Sequence, residues 1–401
     1  MKRVLSFACL AASVVAVQAH ADVLGLSDQE IQAIRDATGG EVDFGRALGG
    51  ARDDRGPAPY PGTLVEIPGR EVRASDRESV DGDPDFKDEW WVRNLKIQDA
   101  WKIATGNGVT VADCDAGYYW DQPDFSLSML LDLRYDLADN DNHLKIDDGN
   151  FVGHGTAVAA LIAGARDGHG TNGIAFDAHL IPFQNFNYDS SIDDMDKEEA
   201  TAQCILRAIK QPGVGVITLE NQTYEGSSET YAGTREAVRL ALKAGILIVS
   251  AAGNSGEELK AEAGDDTGSL IIGSLKKDGS ARADSNYGSR VAVATYGEDI
   301  TTIYGPNGKL GWFGGTSGAT ALMGGMTALI REANPALTPE QIKELLIRTR
   351  VESAETTKVG GAVNIVAALQ GAKGMPVSPA PMRKRHKFRE WLRKLFHHHG
   401  A

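Results

Sequence analysis

A serine, a histidine and an aspartate stand at three points of this chain where each would be presented by the end of a regular element. Ser317 lies in Gly314-Gly315-Thr316-Ser317, ahead of a small-residue apolar run that reads as a buried helix through Ile330. A helix start leaves backbone N–H groups unpaired and carries the positive end of the helix dipole, so a serine there has donors beside it for an oxyanion. His154 opens GHGTAVAALIAG, a second helix pattern, and Asp115 closes an apolar, β-favouring run that starts at Val109. A serine hydroxyl is a poor nucleophile at neutral pH, so a neutral imidazole must take its proton during attack. A carboxylate then fixes the imidazole tautomer and stabilises the imidazolium. Taken singly, each residue has an ordinary reading: a helix cap, a polar helix start, a turn former. The order Asp, His, Ser, each inside its own extended motif, points to nucleophilic acyl transfer.

The elements that must position these residues alternate along the chain. Runs at Val109–Cys114, Leu180–Phe186, Val214–Leu219, Ile246–Ala251 and Leu270–Ile272 read as strands. Helical patterns fall between and after them at Gly155–Ala165, Glu198–Lys210, Thr230–Ala244, Ala319–Glu332 and Thr338–Thr349. Alternation of this kind predicts an α/β fold with a mostly parallel sheet and helices on both faces. Sites in such sheets lie at the carboxyl ends of the strands, where Asp115 falls.

Bulk properties narrow the function further. The 401 residues carry a net charge of −14, unevenly spread: +2 on residues 1–21, +6 on residues 374–401, and −22 on the body between. An acidic body argues against nucleic acid as a partner. Lys2 and Arg3, the apolar run Val4 to Val17 and the Ala19-His20-Ala21 site read as a secretory signal over residues 1–21. That predicts a secreted, periplasmic or cell-envelope protein. Beyond it only Cys114 and Cys204 remain, one in an expected strand and one in an expected helix, and two buried thiols are expected rather than a disulfide. Residues 22–82 read as a separate module, with a capping box at Ser27–Glu30 and then a Gly-, Pro-, Arg- and Asp-rich linker. At the other end, residues 374–401 combine a proline spacer with Phe388, Trp391, Leu392, Leu395 and Phe396 at helical spacing on a cationic background. Such a helix suits an anionic membrane or envelope surface; docking on the acidic body and a disordered basic end are the alternatives.

From Asp83 to Ala372 the chain resembles the subtilisin-like serine proteases, or subtilases. DPDFKDEWWVRNLKIQDAW is similar to the segment that leads into the family's domain, VADCDAG to its Asp motif, GHGTAVAALIAG to its His motif, ILIVSAAGNSG to its oxyanion motif and GTSGATALMGG to its Ser motif. The resemblance implies a subtilisin-like doubly wound sheet over residues 83–373. It also implies a serine endopeptidase with Asp115, His154 and Ser317 as catalytic residues, acting as a monomer on proteins or peptides. Asn254 takes the place of the oxyanion donor, and Gly253 beside it allows close approach of substrate backbone. Residues 22–82 fall where the family carries a propeptide. No cofactor is implied for the chemistry. Structural calcium is implied at acidic family positions, here Asp124, Asp136, Asp139 and Asp141, with a solvated acidic loop as the other reading. The chain departs from the pattern at Gln122, where a His is common, at Ala160 for a Gly and at Ala321 for a Pro. It departs again at Glu220, where the substrate-facing strand usually ends in Ser-Leu-Gly-Gly. Glu220 would either favour a basic side chain in the substrate or stand as a solvated strand-end carboxylate. Three rivals are a peptide-binding relative without catalysis, an envelope-associated processing protease of narrow specificity, and a precursor whose membrane-active tail is the functional part.

Overall fold

The computed structural model describes residues 65–66, 89–125, 128–137, 142, 144, 153–168, 170–185, 194–220, 222–223, 226–230, 232–259, 266–354 and 356–376. The signal segment, most of the 22–82 module, Asp139, Asp141 and the basic tail lie outside these residues.

In chain order the elements are β1 (Val65–Glu66), α1 (Trp90–Asn94), α2 (Ile97–Trp101), β2 (Thr110–Asp115), β3 (Tyr135–Asp136), α3 (His154–Ala163), β4 (His179–Gln184), α4 (Asp194–Lys210) and β5 (Val214–Leu219). A small hairpin follows, β6 (Gln222–Thr223) and β7 (Gly226–Ser227), then α5 (Ala232–Lys243), β8 (Leu247–Ala251), β9 (Leu270–Leu275) and β10 (Val291–Tyr296). The chain continues through β11 (Ile300–Ile303), β12 (Leu310–Phe313), α6 (Gly315–Ala333), α7 (Pro339–Thr349) and α8 (Ile365–Gly374).

Seven strands form one sheet in the order β10-β9-β8-β5-β2-β4-β3, and every neighbouring pair in it is parallel. Because both faces of a parallel sheet are covered, its central strands are buried throughout, as β2, β8 and β9 are at every position. Helix α6 packs against β5, β8, β9 and β10 and against α3, while α4 and α5 pack on each other and against β2, β5 and β8. From Gly315 to Arg331 every residue of α6 is buried, which explains its run of Gly, Ala, Thr and Met. A capping box opens α7: Thr338 Oγ1 accepts from the Gln341 N–H at 3.0 Å, and Gln341 Oε1 accepts from the Thr338 N–H at 2.8 Å; the one expected at Ser27–Glu30 lies outside the described residues. No helix among the described residues is long and apolar enough to cross a membrane.

Two strands of the main sheet go beyond the sequence reading: β10, whose Ala and Thr dilute the apolar signal, and β3, which is only two residues long. Outside that sheet, β11 and β12 pair antiparallel, and β1 adds to the far edge of β12 with Val65 opposite Trp312.

The cysteines require a correction. Cys114 and Cys204 form a disulfide between β2 and α4, with Cα atoms 6.2 Å apart. The physical reason is strand alternation: Cys114 faces away from its neighbours Asp113 and Asp115, toward the side of the sheet on which α4 lies. A strand and a helix are as able to present cysteines to each other as two loops, once α4 crosses over β2.

Candidate active site

Strand β2 delivers Asp115 at its carboxyl end, fully buried. Its Oδ1 accepts the Ala116 N–H at 2.5 Å and lies 2.6 Å from His154 Nδ1. An ionised carboxylate only accepts, so Nδ1 carries the proton and Nε2 is left to act as a base. His154 is the first residue of α3, and Gly153 before it has φ +87°, a left-handed turn in which a Cβ would come 1.5 Å from the Tyr304 carbonyl oxygen. Only glycine lets the chain enter α3 at this angle. Edge-on contact with Phe313, centroids 5.1 Å apart, fixes the other side of the ring. Burial by itself would lower the His154 pKa, but the Asp115 carboxylate, through charge and hydrogen bond, and the Asp113 carboxylate behind it raise it above its ordinary value.

Ser317 is the third residue of α6, and its hydroxyl donates to the Glu220 carbonyl at 3.4 Å. Asn254, just past the end of β8, faces the same helix start. Its Oδ1 accepts from the Thr316 N–H at 2.8 Å and from the Thr316 hydroxyl at 3.1 Å. With the carbonyl end held by two donors, the amide nitrogen is turned the other way. The Gly253 N–H donates to Thr316 Oγ1 at 3.1 Å, so Thr316 latches the β8 end to the helix. Gly315, φ +70°, makes this approach possible, since a Cβ there would stand 3.1 Å from Asn254 Oδ1. Thr316 was not singled out from the sequence; its place between a Gly and the candidate nucleophile was the available signal.

Sequence reasoning also missed Asp113. It lies two residues before Asp115 on β2 and so on the same face. Its carboxyl accepts from Thr218 Oγ1 at 2.8 Å and from the Tyr118 hydroxyl at 3.0 Å. Glu220 joins it from the end of β5. The solvated reading of Glu220 is corrected: it is 1% exposed, because β5 is central in the sheet and α6 covers its end. Oxygens of Asp113, Asp115 and Glu220 lie within 4.8 Å of one another. At an effective dielectric of about 20, each like-charged pair at that distance costs roughly 3–4 kcal/mol. Burial first, then the Asp115 charge, pushes the Asp113 carboxyl up to about 7, against hydrogen bonds from Thr218, Glu220 and Tyr118. Burial and the two aspartates raise the Glu220 carboxyl well above the carboxylate range. Burial and all three carboxyls hold Tyr118 as a neutral phenol. A polar residue inside a strand otherwise expected to be apolar on both faces was the signal for Asp113.

Of the other acidic positions, Asp124 and Asp136 are described. Asp124 is buried and accepts the Thr171 N–H at 3.2 Å; Asp136 is buried in β3. Neither belongs to a group of three ligand-type side chains among the described residues. Gln122 ties the loop after β2 to the β11–β12 turn, donating from Nε2 to the Gly305 carbonyl at 2.8 Å and accepting the Gly308 N–H at Oε1 at 2.7 Å. The His-to-Gln departure therefore has a structural use.

An aspartate, a histidine at a helix start and a serine in the first turn of a buried helix thus lie along the carboxyl edge of a parallel α/β sheet. The model described as "Subtilase family" matches residues 106–372, and the chain belongs to that family. It is a serine endopeptidase, acting on protein or peptide substrates, and subtilases need no cofactor for catalysis. Among its relatives are an intracellular serine protease of Paenibacillus polymyxa, 29% identical over 286 residues covering 67% of this chain and 82% of the relative, and subtilisin BL of Lederbergia lenta, 28% identical over 265 residues covering 66% and 91%. A solved protease of Pseudoalteromonas arctica superposes with a TM-score of 0.61 at 25% identity, covering 73% of this chain and 99% of that one. MycP1 with its N-terminal propeptide removed gives 0.56 at 26% identity, covering 70% and 97%.

Proposed function

We propose that this endopeptidase cleaves peptide bonds through Ser317 as nucleophile, His154 as general base and acid, Asp115 as the orienting carboxylate, and Asn254 with the Ser317 N–H as the oxyanion donors. The observation that carries the assignment is the 2.6 Å contact of His154 Nδ1 with Asp115 Oδ1, which leaves Nε2 basic. For attack, the Ser317 hydroxyl turns from the Glu220 carbonyl and gives its proton to His154 Nε2 as its oxygen bonds to the scissile carbonyl carbon. Charge moves onto the carbonyl oxygen, where the two donors meet it. The tetrahedral species collapses, His154 passes the proton to the leaving amine, and an acyl-enzyme forms that water resolves by the same steps in reverse order. A fluorophosphonate probe should label the wild type at Ser317 and not Ser317→Ala. An unlabelled wild type of native fold would favour the non-catalytic, peptide-binding reading.

The protein is exported and made as a precursor in this reading. The signal pattern of residues 1–21 supports export, and pairing of β1 with β12, the strand that leads into α6, supports a leader that touches the peptidase domain. N-terminal sequencing of the exported protein tests both: a mature form still starting before residue 22 would contradict export by this signal. Liposome binding compared with and without residues 376–401 tests the envelope role of the basic tail, and equal binding would remove it. For calcium, the described acids offer no assembled shell, so no step of the reaction is routed through it; an unchanged melting temperature on chelation would remove the calcium reading.

A further inference from the structure

We propose that Glu220 holds a proton in the working enzyme and shares it with Asp113, so that a carboxylic acid–carboxylate pair stands behind Asp115 and governs how firmly the site keeps a proton on His154. This inference rests on the Asp115–His154–Ser317 reading above.

The arrangement of donors locates the proton. Both Asp113 oxygens receive O–H donors, from Thr218 on β5 and from Tyr118 beyond β2, and these stabilise an anion there. Asp115 Oδ1 is taken by His154 and the Ala116 N–H. Asp115 Oδ2 and both Glu220 oxygens are buried with no hydrogen-bond partner outside the cluster. A buried carboxyl must be neutralised or paired. No Lys or Arg among the described residues is paired with any of the three. A proton on Glu220 satisfies the requirement directly, giving one O–H donor aimed at an oxygen of its aspartate neighbours.

A bound cation meets the requirement poorly. Calcium takes six to eight oxygens, whereas only three here are uncommitted, and the Thr218 and Tyr118 hydroxyls direct their hydrogens into the cluster. The groups facing the pair are Asp115 on β2, Tyr118 after it, Thr218 on β5 and His154 on α3. From α6, Ser317 reaches the backbone carbonyl of Glu220 itself. The pair thus touches the base through charge and the nucleophile through one carbonyl. It is a positioning pair, not a catalytic one, since neither carboxyl meets the substrate in the reaction above.

Two measurements on the purified full chain test the idea. The first is the pH dependence of Ser317 labelling by the fluorophosphonate probe. Asp113→Asn removes the charge that Asp113 carries near and above pH 7, which destabilises the imidazolium, so more His154 is neutral on the upper part of the acid limb. The acid limb should move down by about half a pH unit, seen as labelling about threefold faster than wild type on that limb. Glu220→Gln keeps a donor but cannot hold the proton, and should not move the limb down. The second measurement needs no variant to fold: the infrared band of a protonated carboxylic acid should be present in the wild type at neutral pH and sensitive to deuterium exchange. It should be lost in Glu220→Gln. A labelled Asp113→Asn with the wild-type limb overturns the pair while leaving the triad standing. Absence of the band in the wild type, or a stoichiometric metal ion in the wild type that Asp113→Asn loses, overturns it as well. A wild type that is never labelled sinks the triad reading and this inference together.

Discussion

On the serine side of the site, Thr316 gives both its N–H and its hydroxyl to Asn254, Gly253 gives its N–H back to Thr316, and Gly315 leaves room for the contact. On the aspartate side, three carboxyls crowd within 4.8 Å and several of their oxygens lack partners. The first wall is made of backbone dipoles and neutral side chains, so its electrostatics barely change with pH. The second is made of titratable groups in a dry place, so its charge depends on protons and on what holds β2 and β5 in register. The two walls are joined by His154 and by the Ser317 hydroxyl on the Glu220 carbonyl. Catalytic power would reside in the first wall and its tuning in the second.

That contrast can be broken at several points. Ser317→Ala should lower kcat/KM by roughly 10⁴-fold or more with the fold retained, read by peptide hydrolysis and circular dichroism. Asn254→Ala should cost about 10²–10³ in kcat with little change in KM, a range set by loss of such a donor in subtilisin. Equal loss in KM would mean that Asn254 binds the ground state instead. Cys204→Ser should lower the unfolding free energy by about 2–5 kcal/mol, since the bridge closes a long loop, while the activity of the folded fraction falls less. A folded variant with displaced Asp115 would lose activity along with stability, and would show that the disulfide also places the catalytic strand.

The smallest expected effect concerns stability against pH. The folded-state pKa of Asp113, about 7, is above its unfolded value of 3.8. A carboxyl raised in the folded state binds more protons there, so its contribution is most favourable below pH 4 and becomes a penalty as pH rises toward 7. Asp113→Asn should therefore gain stability relative to wild type progressively over that window, measured by denaturant unfolding at several pH values. A difference that stays flat with pH would show that Asp113 is ionised throughout.

Some of this was legible residue by residue. Asp115 ends a strand, His154 opens a helix and Ser317 lies in the first turn of another, and α6 announces itself because a buried helix needs small and apolar residues along its length. Strand β10 was not legible, since its Ala and Thr residues blur a strand signal that its neighbour β9 supplies the partner for. The disulfide was misjudged because a separation of 90 residues carries no information about contact. Glu220 was misjudged because a carboxylate at a strand end is normally wet, and only the covering by α6 makes this one dry.

The sequence by itself determined the motifs, their order, and therefore the parallel architecture and the class of chemistry, since these depend on local periodicity and on residues at element ends. Tertiary structure alone decided which charges are neighbours. Thr218 meets Asp113 across 105 residues, Glu220 arrives beside it on the adjoining strand, and Cys204 meets Cys114 on the other face of the sheet. Strand register and helix crossing set those distances, and no stretch of the chain read alone contains them.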